Sequence, residues 1–108
     1  MFLVSSSLFV IMGSTVFITY VKWSNIGKER GRDFFFNIWM KKHENLCEQF
    51  NIKFLKWGLP LGTEEDHVFL YETKTDVHNF MEFKGKVSNI DNEKLWDYSK
   101  TNIIVCPD

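Results

Sequence analysis

Residues Asn51 to Thr73 read as two strands, NIKFLKW and HVFLYET, joined by the turn segment GLPLGTEED. Both arms place apolar side chains at odd and at even positions, so neither face of the pair can be left to water. Pro60 has no N–H to give a ladder, so pairing lapses or bulges near it. Gly62 supplies a backbone conformation closed to other residues, and Gly62 to Asp66 carries the reversal. Glu64, Glu65 and Asp66 could hold a hard cation, but successive turn residues seldom converge on one point. They read as a solvated loop. Everything before this hairpin looks like strand then helix, and everything after it like helix then strand.

Thr15 to Trp23 (TVFITYVKW) is β-branched and aromatic and predicts the first strand, with Val16, Ile18 and Tyr20 on one face and Phe17, Thr19, Val21 and Trp23 on the other. Ser24 to Gly31 is a polar connector in which Ser24 and Asn25 are available as caps. Lys28, Arg30 and Arg32 cluster here and could hold an anion near a helix start. Glu29 and Asp33 interleave them, which favours a solvated, self-neutralised surface.

Asp33 to Phe50 predicts the long helix. At 100° per residue, Phe36, Trp39, Met40, His43, Leu46, Cys47 and Phe50 share one face. His43 is thus a polar residue in the middle of an apolar stripe. It is either a buried histidine satisfied by one hydrogen bond or a general base in a pocket between helix and sheet.

In the hairpin, Ile52, Phe54 and Lys56 alternate against Lys53, Leu55 and Trp57. His67, Phe69 and Tyr71 alternate against Val68, Leu70 and Glu72. Glu72 is the one acid within a strand core, and pairs either with Lys53 or Lys56 across the sheet or with His43 beneath it. Thr75 reads as the cap of a second helix, with Asp76 in its first turn, Val77, Phe80, Met81 and Lys84 on one face, and Gly85 as its stop. Asn92 to Tyr98 reads as a short helical turn carrying Leu95 and Trp96, and Thr101 to Cys106 as the last strand.

Met1 to Val21 carries no charge, a length that would suffice for a membrane span. Its second half serves better as a strand, however, and what remains is too short to cross. No Lys or Arg precedes the apolar run and no small-x-small site ends it, so a secretory signal fits poorly. Residues 1–14 therefore read as an apolar N-terminal extension, with membrane anchor and start-site artefact as the alternatives, and residues 15–108 as one domain. A formal charge of −1, with no basic tail, offers nothing to nucleic acid. Cys47 and Cys106 stand far apart without a CxxC, which suits reduced thiols, a cytoplasmic location and no metal site.

The expected order is strand, helix, strand, strand, helix, strand. With the central hairpin this is an α+β, ferredoxin-like βαββαβ domain: a four-stranded antiparallel sheet with two helices on one face. Two helices cannot cover both sides of that sheet. Yet Val16/Phe17, Ile18, Phe54/Leu55, Phe69/Leu70 and Ile103/Ile104 put apolar groups on both, and aromatics are 17% of the chain. A homodimer packed sheet face to sheet face is the economical solution.

In that element order, in the aromatic helix from Trp39 to His43 and in the KWGLPLGTEEDHVFLYE hairpin, the chain resembles the dimeric α/β-barrel superfamily over about Thr15 to Cys106. Its relatives include stress-responsive barrel proteins, muconolactone isomerase and antibiotic-biosynthesis-type monooxygenases. The Asn–Trp–His set of the haem-degrading members does not align, so haem chemistry is not carried over. The resemblance implies a small apolar pocket with polar groups from the first helix and central strands, commonly without metal or organic cofactor.

Two functions follow. One is a small-molecule site, an oxygenase or isomerase working without a cofactor. There His43 is the acid/base, Glu72 or Tyr71 orients a small apolar ligand, and Trp39 and Trp57 are the walls. The other is a non-catalytic structural or interaction dimer in which the same residues are core.

Overall fold

The computed structural model describes residues 14–74 and 76–107. The extension up to Gly13 and the Thr75 cap therefore lie outside the described residues. Strand β1 (Ser14–Trp23) leads into helix α1 (Asn25–Phe34), a π-helical turn (Phe35–Trp39) and helix α2 (Met40–Gln49). Strands β2 (Lys53–Gly58) and β3 (His67–Thr73) form the hairpin, and helix α3 (Val77–Ser88) follows. A small ribbon, β4 (Asn89–Ile90) with β5 (Glu93–Lys94), then leads to the long β6 (Trp96–Cys106). The main sheet is four-stranded, ordered β2-β3-β1-β6, with β1 antiparallel to both neighbours and β2 antiparallel to β3. Among the described residues no helix is long and apolar enough to cross a membrane.

Phe17, Thr19, Val21 and Trp23 on β1 and Phe69 and Tyr71 on β3 point under the helices and are buried. Phe80, Phe83 and Val87 of α3 and Trp39 of the π-turn close over them, and Phe17 stacks on Phe80 at 4.1 Å. The other sheet face carries Val16, Ile18, Tyr20, Val68 and Leu70, all half-buried, and Ile104, which is 48% exposed.

Outside the hairpin, four local features differ from the sequence expectation. The polar connector is itself helical: Ser24 caps α1, its Oγ accepting from the Gly27 N–H at 3.0 Å, and the chain kinks at Gly31, whose φ of +81° suits glycine. The π-turn then inserts one extra residue into the helical repeat. It turns Phe35 inward and leaves Phe36 45% exposed, so the buried stripe is Phe35, Trp39, His43 and Cys47. In α3 the apolar stripe is Phe80, Phe83 and Val87, with Val77 and Met81 half exposed. The helix runs through Gly85, and Asp76 caps it through its Oδ1 and the Asn79 N–H. Finally, residues 92–98 are not helical. Asp91 and Asn92 both adopt positive φ, as a two-residue primed turn requires, and join β4 to β5.

A bulge rearranges the hairpin. Phe54 pairs with Tyr71 and Lys56 with Leu70, so Leu55 is the extra residue. Phe54 and Trp57, which strict alternation sets on opposite faces, consequently both turn toward the helices. The acids of the turn also part company. Glu65 is buried, accepting from the Tyr98 hydroxyl at 2.8 Å and pairing with Lys100 at 3.0 Å. Those two contacts, the Tyr98 bond first, hold its carboxyl below the usual range. Asp66 meanwhile accepts from the Trp23 N–H at 3.0 Å.

Candidate functional site

His43 is wholly buried. Trp39 stacks on its ring at 4.7 Å, Phe54 meets it edge-on at 4.8 Å, and Phe69, Tyr71 and Phe83 complete the enclosure. Its Nε2 lies 2.7 Å from the Tyr71 hydroxyl and 3.9 Å from Cys47 Sγ, while Nδ1 has no partner among the described residues. If the tyrosine O–H donates to Nε2, only Nδ1–H is left unmet; the reverse arrangement strands both the tyrosine proton and the Nδ1 lone pair. The first is therefore the cheaper state. Burial lowers the His43 pKa from 6.5 to about 4 and pushes that of Tyr71 well above 10. It also raises the Cys47 thiol to about 12, with help from the Glu44 charge. The trio is thus neutral near pH 7.

Of the residues singled out in the sequence, His43, Tyr71 and Trp39 come together, and Trp39 is further anchored by its indole N–H to the Val87 carbonyl at 2.9 Å. Glu72 does not join them. It lies on the opposite sheet face, in register with Lys53, and accepts from the Ser14 hydroxyl at 2.6 Å. A surface hollow of about 400 Å³ beside Cys47 and Phe54 does not include His43 in its lining.

Trp57 belongs instead to a larger cleft of about 490 Å³ between α1, the π-turn and the adjoining ends of β1, β2 and β3. Trp23, Phe34, Phe35, Phe36 and Trp57 form its aromatic lining. Local devices explain why these side chains meet. The bulge at Leu55 turns Trp57 inward, and the π-turn brings Phe35 against it at 5.2 Å. Gly27 lets α1 approach the sheet, since a Cβ there would stand 2.5 Å from the Leu95 carbonyl oxygen and 2.8 Å from the Trp23 ring.

His67 is the imidazole lining this cleft, half-buried and stacked on Phe35 at 5.0 Å with an interplanar angle of 7°. Its Nδ1 accepts from the Trp23 indole at 2.6 Å. An indole nitrogen can only donate, so Nδ1 is unprotonated and the proton of the neutral ring sits on Nε2. Nε2 has no partner among the described residues. Burial lowers the His67 pKa against an opposing pull from Asp66, so the ring is neutral near pH 7 and offers a ligand one N–H donor.

Lys28, Arg32 and Asp66 supply the formal charge of the lining. Asp66 is engaged by the Trp23 N–H and by Lys22 at 3.8 Å. Arg30 pairs with Glu93 and lies over the Phe34 ring. Lys28 and Arg32 make no ion pair among the described residues. Sequence reading missed His67 because alternation marks it only as an inward position at a strand end. The available signal was convergence: Trp23, Trp57 and His67 all stand where strands meet the Lys28–Arg32 segment.

No protein family and no curated protein matches the sequence. Among solved structures, the chain is similar to the crystal structure of a protein of unknown function from Rhodopseudomonas palustris. The two share 15% identity with a TM-score of 0.55, over 89% of this chain and 84% of that one. At such identity the likeness is one of α+β fold alone.

Proposed function

We propose that the chain is a small-molecule-binding protein whose site is the aromatic cleft around Trp57 and His67, set in a ferredoxin-like domain of the dimeric α/β-barrel type. The observation that carries this reading is the contrast between the two imidazoles. His43 is wholly buried among aromatic rings and Cys47, whereas His67 borders about 490 Å³ of space with a donor that has no partner among the described residues. Cavities of this size and lining are the usual form of small-ligand sites. His43 and Tyr71 then act as packing behind the wall, and any isomerase or oxygenase step in the cleft would involve His67. The domain type is supported by the strand order: the second, third, first and last strands of the main sheet lie side by side, as in two interleaved βαβ units. The free thiols of Cys47 and Cys106 fit a reducing, cytoplasmic setting. Titration with neutral naphthalene-2-carboxamide, followed by tryptophan fluorescence, tests the reading. Binding should be weakened about fivefold or more by Trp57→Ala and unchanged by His43→Gln, on the usual cost of losing one aromatic contact.

The apolar sheet face opposite the helices favours a further element of the same reading, a homodimer. Val16, Ile18, Val68, Leu70 and Ile104 form an apolar patch that none of the described helices covers, rimmed by Lys22, Lys53 and Glu72. Sedimentation analysis should find a dimer that Leu70→Glu converts to a folded monomer. A monomeric parent chain would remove dimerisation from the proposal.

A further inference from the structure

We infer that the cleft takes a flat, aromatic or similarly apolar molecule carrying a single carboxylate, held by Lys28, Arg32 and the Nε2–H of His67. The inference rests on the cleft being a ligand site and adds the chemistry of the ligand.

The apolar part of that ligand follows from the walls. Phe35, stacked with His67, meets Trp57 at 78°, so plane and edge together suit a flat ring system. The anionic part follows from which charges are already taken. On the sequence, Lys28, Arg30 and Arg32 look neutralised by Glu29 and Asp33. In the fold the pairing is different. Arg30 turns away to Glu93, and neither Glu29 nor Asp33 forms an ion pair with Lys28 or Arg32 among the described residues. Two cations therefore border an apolar cleft with only Asp66 to oppose them, and Asp66 is committed to Trp23 and Lys22. Two positive groups against one negative leave the lining at net +1, which a monoanion cancels.

The hydrogen-bonding pattern has the same sign. Lys and Arg only donate, and the bond from Trp23 leaves His67 only an N–H to offer. A carboxylate accepts from all three. An ammonium would find no free acceptor among them. Arginine further suits the planar, two-oxygen geometry of a carboxylate.

The test compares three probes of one shape on the full chain near neutral pH: naphthalene-2-carboxylate, naphthalene-2-carboxamide and naphthalen-2-ylmethylammonium. Calorimetry should rank the carboxylate about tenfold tighter than the amide, the scale of one added charge-assisted contact, and the ammonium weakest. Lys28→Gln and Arg32→Gln alter exposed side chains and should leave the melting temperature in place. Each should reduce carboxylate affinity several-fold and amide affinity by much less, and added salt should act in the same order. Equal binding of carboxylate and amide, or tightest binding of the ammonium, would overturn the carboxylate assignment and leave the cleft as a neutral-ligand site. Failure of all three probes to bind would overturn both.

Discussion

The indole N–H of Trp23 and Nδ1 of His67 stand 2.6 Å apart, and this bond decides which nitrogen of His67 a ligand can use. It ties β1 to β3 at the mouth of the cleft and leaves Nε2–H as the free polar position. Nitrogen NMR should find His67 Nδ1 unprotonated and hydrogen-bonded and Nε2 protonated near neutral pH. In Trp23→Phe the donor is gone, and the two tautomers should mix. A wild-type spectrum with the proton on Nδ1 would contradict the assignment.

His43 makes stability depend on pH. Unfolded, it titrates near 6.5; folded, burial holds it at about 4. Between those values the unfolded chain binds more protons. The contribution is therefore complete above about pH 6.5 and is lost as pH falls toward 4, by about 3 kcal/mol over the window. His67, whose pKa burial also lowers, adds to the loss with the same sign. Denaturant unfolding at stepped pH should show the wild-type slope, and His43→Gln should flatten it whatever its absolute stability. An unchanged slope in the variant would show that His43 is not the buried neutral group described.

Gly27 is where α1 touches the sheet. Gly27→Ala drives a methyl toward the Leu95 carbonyl and the Trp23 ring, both of which the fold holds in place. Overpacking of this kind costs about 1–3 kcal/mol, and thermal melting should find that loss despite alanine's better helix propensity. A neutral or stabilising Gly27→Ala would mean that α1 can lift from the sheet at little cost.

The first three main strands and the long helix were legible because their apolar periods are strong: Thr15–Trp23 and His67–Thr73 match β1 and β3 to within a residue, whereas the last strand begins at Trp96 and not at Thr101. Apolar residues on both sheet faces were legible too: Val16, Ile18 and Leu70 stand opposite the helices and Phe17, Phe69 and Tyr71 beneath them. What escaped were single-residue insertions. The extra residue of the π-turn exchanges Phe36 for Phe35, and the extra residue at Leu55 turns Trp57 to the helix side; neither changes composition or average period. Those two shifts build the cleft. The Asp91–Asn92 turn was missed because Leu95 and Trp96 suggested a helical stripe, whereas two adjacent positive-φ residues favour a hairpin. His43 drew notice as the odd polar residue on an apolar face, and that oddity marks a buried pair with Tyr71, while the imidazole beside open space is His67.

The indole N–H resonances of the four tryptophans report most directly on where a ligand sits. Titration with naphthalene-2-carboxamide and naphthalene-2-carboxylate should shift Trp23 and Trp57, which line the cleft. Trp39, bonded to the Val87 carbonyl inside the core, should hold still. A shift of Trp39 with Trp57 unmoved would contradict the account and return the ligand site to His43.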